Sequence, residues 1–146
     1  MKKTCLLILG ILALQNSMAG CGCGKGKLML QCDYYVARLG DKSRQHLCEE
    51  YAKVVDIDGA SAQAAWYYLL AGKPGKALAA ARRAYDQGQT YAAGYMAEAL
   101  LILGRDREAK RYRDIFVKRV KKRAYFDKEI EVLKKLYPRV GFSTLR

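Results

Sequence analysis

Proline is almost missing from this chain: there are two, Pro74 and Pro138, in 146 residues. So few helix breakers, beside many Ala, Leu, Lys, Arg and Glu, favour helix over sheet. Histidine is scarcer still. His46 stands alone, near Arg44 on an expected helix, and no Ser or Cys nucleophile sits in an elbow motif. Acidic residues are outnumbered, 14 against 27 Lys and Arg, which leaves a net charge of +13. No apolar run reaches the roughly 20 residues of a membrane-spanning helix; the N-terminal one, Leu6 to Leu14, is nine long. Apolar residues are not lacking. At 51% they suffice for a core, which argues against disorder, and the length suits one small domain.

The first twenty residues have the layout of a secretory leader: Lys2 and Lys3, the apolar run, then the short stretch Gln15 to Gly20. Two cleavage readings remain open. Ser17-Met18-Ala19 offers small residues to an ordinary signal peptidase, whereas Ser17 to Cys21 resembles a bacterial lipobox, with Cys21 as the lipidated first residue. Residues 21–27, rich in Gly and Lys, then read as a flexible tether. By resemblance to lipoprotein sorting, Gly22 after the cysteine favours the outer membrane. The expected location is the periplasmic face of a membrane, or the soluble periplasm. Losing Lys2 and Lys3 lowers the net charge from +13 to +11. That charge suits anionic partners such as lipid headgroups, glycans or acidic proteins, and export argues against nucleic acid.

Three glycines, Gly40, Gly72 and Gly104, recur at a spacing of 32. Each follows an apolar-rich stretch and opens a polar turn before a second helical stretch. Two helices per unit at such a period signal a helical solenoid. The expected domain covers 28–146, with units at about 28–59, 60–90 and 91–126. A capping helix follows at 127–137, opened by Asp127 as N-cap, carrying Ile130, Leu133, Leu136 and Tyr137, and ended by Pro138. Ala77, Ala80, Ala81 and Ala84 form a small-residue stripe that lets a facing helix approach closely. The fold class is all-α: a short solenoid of helical hairpins closed by a C-terminal helix.

Gly72-Lys73-Pro74-Gly75-Lys76-Ala77, followed by Ala81 and Ala84, resembles the turn and second helix of a tetratricopeptide repeat. Gly104 to Ala109 repeats it, and Tyr68, Ala65 and Ala97 sit at matching positions of the first helices. Gly88, Tyr91 and Ala92 are similar to Sel1-like repeats. The match covers about 60–116. It is poor over 28–59, where Gln45 replaces a small residue and Glu49 an apolar one. The resemblance implies a concave face lined by the first helices, on or near which Tyr34, Trp66, Leu69, Glu98 and Leu101 would meet a protein or peptide of the envelope. Trp66, the one tryptophan, has the character of a binding hot spot, or is core.

Four cysteines remain past the leader. Cys32 and Cys48 stand eight residues either side of Gly40, so an antiparallel hairpin sets them face to face, as a disulfide or as buried thiols. Cys21-Gly22-Cys23 is too weak a pattern for a metal site. Neither a cofactor nor a catalytic group is expected. A second surface is the basic helix carrying Arg111, Arg113, Lys118, Arg119, Lys121, Lys122 and Arg123, with Ile115, Phe116 and Val120 on its other face. It reads as a contact for anionic lipid or glycan, or as a solvated face. The expected function is therefore a non-catalytic, lipid-tethered adaptor, with charge-driven binding of lipid or glycan as the alternative.

Overall fold

The computed structural model describes residues 24–120 and 123–145. The leader, Cys21, Lys121, Lys122 and the side chain of Arg123 lie outside the described residues. Within them the chain is helical, with no strand. Helix α1 (residues 24–32) runs into a π-helical segment, Asp33–Arg38. There follow α2 (Gln45–Ile57), α3 (Ser61–Leu70), α4 (Pro74–Asp86), α5 (Ala92–Ile102), α6 (Asp106–Val120), α7 (Arg123–Leu136) and a closing 3₁₀ turn, Phe142–Leu145.

Helices α2 to α5 all end in the same way. After α3, the N–H of Gly72 bonds the carbonyl of Leu69 at 3.2 Å and that of Lys73 the carbonyl of Tyr68 at 2.9 Å. This is a Schellman motif, and it requires the left-handed conformation that Gly72 adopts at φ 72°. Gly59, Gly88 and Gly104 close α2, α4 and α5 by the same pair of bonds. Pro74 then opens α4, where its missing N–H costs no hydrogen bond.

The sharp turns set successive helices against one another, α2 on α3, α3 on α4, α4 on α5 and α5 on α6, and they bring the first helices α3 and α5 together. Alanine makes this closeness possible. Ala64 and Ala65 of α3, Ala77, Ala80 and Ala81 of α4 and Ala93 and Ala97 of α5 are fully buried. Small residues there let backbones approach, and the layered, all-helical arrangement is solenoid-like.

The weakly patterned first unit is fastened by polar contacts. Glu49 meets Lys76 of α4 at 2.8 Å, with Lys53 and Lys73 near, and Arg83 grips Asp56 through two bonds of 2.6 and 2.7 Å. Gln45 donates to the carbonyl of Leu70 at 2.8 Å, beneath Gly72. Both residues that depart from the repeat pattern thus join α2 to the next unit. Residues 24–27, expected as tether, are already helical, and Lys25 forms an ion pair with Asp58 at the far end of α2.

Helix α7 departs from expectation in start and place. It begins at Arg123, so Asp127 lies inside it rather than at its cap. It also does more than close the end of the stack: it lies over the first helices. Its stripe of Phe126, Ile130, Leu133 and Leu136 is buried. At one end Phe126 meets Phe116, ring centroids 5.0 Å apart, over Gly94, where a Cβ would crowd the Phe116 ring. At the other, Lys135 Nζ donates to the carbonyl of Arg38 and Tyr137 Oη to the carbonyl of Leu69. Phe142 and Leu145 complete the core beyond it, against α6.

Candidate functional site

Helix α7 decides which of the expected contact residues are accessible. Leu69 and Glu98 are 0% exposed and Leu101 is 5% exposed, so none of the three presents an open surface. Leu69 lies under Tyr137, Glu98 is close enough to Glu129 of α7 to feel its charge, and Leu101 borders a separate cavity with Arg139 and Val140. The trough expected to hold a partner is filled by the chain's own C-terminal segment. The physical reason is the apolar stripe of α7, which has no other face to bury itself against. Tyr34 is half-exposed but stands apart, edge-on to Tyr35 and under the guanidinium of Arg38. Of the five residues only Trp66 borders the space that remains.

That space opens beside the first turns of α7. Two adjoining cavities, of about 340 and 450 Å³, share Tyr91, Tyr95 and Tyr125 as walls. The first is completed by Gly94, Phe116, Val120 and Glu129. Asp33, Gln63, Trp66 and Tyr67 complete the second. Five elements contribute, because the stacked hairpins align α3 and α5 while the π-helical segment re-phases α1. Cys32 and Val36 are buried on one side, and Asp33, at the start of that segment, faces Tyr67. Tyr67 Oη donates to Asp33 Oδ1 at 3.1 Å, Tyr95 Oη to Glu129 Oε1 at 3.2 Å, and the Trp66 and Tyr95 rings lie 6.2 Å apart. Tyr91 and Tyr125 are 46% and 63% exposed and form the rim.

Burial governs the charges here. It raises the Asp33 carboxyl above its ordinary range, against the opposing effect of the Tyr67 hydroxyl. It pushes Glu129 up to about 8, although the Tyr95 hydroxyl pulls it down. Glu98 is raised well above 4.5 by burial and then by Glu129, and neither of its oxygens has a hydrogen-bond partner. The hydroxyls of Tyr67 and Tyr95 are raised by burial and by these carboxyls. Both glutamates, one on α5 and one on α7, are thus raised chiefly by burial.

The described lining holds no Ser, Thr, Cys, His, Lys or Arg; its polar groups are tyrosine hydroxyls, the carboxyls of Asp33 and Glu129 and the amide of Gln63. His46 is exposed on α2, and among the described residues no group of three His, Cys, Asp or Glu gathers to hold a metal ion. Cys32 and Cys48 are joined in a disulfide, Cα atoms 5.0 Å apart, both fully buried between α1 and α2. Of the basic surface, Arg111, Lys118 and Arg119 are exposed along α6, while Arg113 is partly buried and pairs with Asp114 at 2.8 Å. No described helix is long and apolar enough to cross a membrane.

Sequence reasoning missed the cleft because its walls are spread over positions 33 to 129. The one local sign was a high tyrosine content, 11 residues, which by itself does not say where they meet. The chain matches no family model, and no curated protein or solved structure matches it.

Proposed function

We propose that this chain is a non-catalytic interaction module of the bacterial cell envelope. In this reading it is a tetratricopeptide-like stack of hairpins, exported and held at the periplasmic face of a membrane by lipid on Cys21. It takes part of a protein or peptide partner into its tyrosine cleft. The observation that carries the reading is the cleft itself: two adjoining cavities rimmed by exposed aromatic side chains. Aromatic groups with an apolar body and a polar tip dominate binding hot spots. Affinity capture from envelope extract with the full chain is the test. A partner retained by the native protein and lost on Tyr125→Ala and Tyr91→Ala supports the reading. Recovery unchanged by both replacements refutes it.

The exposed cations Arg111, Lys118 and Arg119 on α6 favour a second reading, as a peripheral binder of anionic lipid or glycan. Its signature is co-sedimentation of unlipidated protein with anionic vesicles that disappears as salt rises from 0.05 to about 0.5 M. Binding indifferent to salt rules it out.

A further inference from the structure

We propose that the tyrosine cleft is a receptor site for an organic ammonium cation. The inference rests on the reading of the cleft as the binding site and narrows its ligand to one chemistry. Ring faces carry negative electrostatic potential and attract cations, most strongly when the cation sheds its water. The walls here combine Trp66 and the three tyrosines 91, 95 and 125 with two carboxyls, Asp33 and Glu129. This is what an ammonium group requires: polarisable surface around it and a counter-charge within reach.

Charge complementarity singles the cleft out. Lys and Arg outnumber acids 27 to 14 in the chain, yet the described lining contains two carboxyls and neither Lys nor Arg. Each carboxyl is held in place by a tyrosine hydroxyl, at 3.1 Å for Asp33 and 3.2 Å for Glu129. Behind Tyr95 stands a third, Glu98, fully buried and without a hydrogen-bond partner. Glu98 and Glu129 are buried and Asp33 is partly buried, and burying acids without a cation is costly. An ammonium ion entering the cleft supplies the missing positive charge and lets the carboxyls ionise.

The pH dependence follows from the same arrangement. Among the described residues, the groups around Glu129 are Tyr95 and Glu98 from α5, Tyr125 from its own helix, and Phe116 and Val120 from α6. None of these brings a positive charge. Burial raises the Glu129 carboxyl to about 8, so a cation with no titration of its own is expected to bind more tightly at pH 8.5, where that carboxyl is more ionised, than at pH 6.

The test uses the full chain in calorimetric titrations with choline and with 3,3-dimethyl-1-butanol, its neutral isostere. Choline is expected to bind at least about tenfold more tightly than the alcohol, and several-fold more tightly at pH 8.5 than at pH 6. Asp33→Asn and Tyr125→Ala should each weaken choline about fivefold or more. Glu129→Gln should abolish the pH dependence. Tyr125 is exposed and Asp33→Asn preserves shape, so circular dichroism should show unchanged helix in both. A blocked peptide with one lysine, set against its norleucine counterpart, distinguishes a side-chain source from a free cation. Preference for lysine over norleucine assigns the site to a partner's side chain, and choline binding alone to a small molecule. Equal binding of choline and the alcohol, or no binding of either ammonium probe, overturns the proposal. If a captured envelope partner is then still lost on Tyr125→Ala, the cleft remains a binding site for other chemistry; if that too is unchanged, both readings fall.

Discussion

Glu98 shows how one residue can set the conditions under which the whole chain is stable. It sits in α5 with no exposure and no hydrogen bond, close to Glu129 of α7. Both carboxyls have folded-state pKa values above the ordinary 4.5, about 8 for Glu129. The folded state therefore keeps protons that the unfolded chain gives up, and stability falls as pH rises between those limits. Thermal melts should show the melting temperature declining from pH 5 to pH 8.5. Glu98→Met, which removes the unpartnered oxygens, should flatten that decline and add about 1–3 kcal/mol at pH 8. A native profile that rises with pH would show that the pair is otherwise satisfied. Glu49 and Gln45 teach the opposite lesson. Both looked misplaced against the repeat pattern, and both prove to be joints, one to Lys76 and one to the carbonyl of Leu70.

At the scale of the helix, α7 matters most. Its stripe Phe126, Ile130, Leu133 and Leu136 closes the core over the first helices. Leu133→Ala should cost about 2–5 kcal/mol in urea unfolding, the range for deleting a fully buried leucine. A cost below 1 kcal/mol would mean that α7 is only loosely seated. The α1–α2 hairpin is stapled by Cys32–Cys48 across a separation of 16 residues. Reduction should therefore lower stability by about 3 kcal/mol on the chain-entropy account, and a Cys32→Ala, Cys48→Ala chain should melt at the same temperature with and without reductant.

For the molecule as a whole, tethering and charge are the properties to test. Intact-mass measurement of protein from its native host distinguishes a lipidated Cys21 from a chain cut after Ala19, since acyl chains add mass that simple cleavage does not. A mature mass without acyl chains would remove the tether from the proposed function. The chain carries a net charge of +13, yet the described lining of the tyrosine cleft holds two acids among aromatic rings. Whole-chain charge therefore says little about what that cleft receives.

Much of the architecture was written locally. The glycines at 40, 72 and 104 mark helix ends because a positive φ is a property of one residue and its neighbours, and apolar periodicity marks which face of a helix turns inward. The all-helical, solenoid-like stack follows from those signals, and so does the buried stripe of α7. What they leave undetermined is the surface each stripe meets. Periodicity says that Leu133 is inside, not that it lies over the first helices, so Leu69, Glu98 and Leu101 looked available when α7 and the segment after it cover them. The tyrosine cleft is likewise a product of tertiary structure alone. Asp33 and Glu129 come within one site only because three hairpins stack and the last helix folds back across them, and no local pattern encodes a meeting of residues so far apart in the chain.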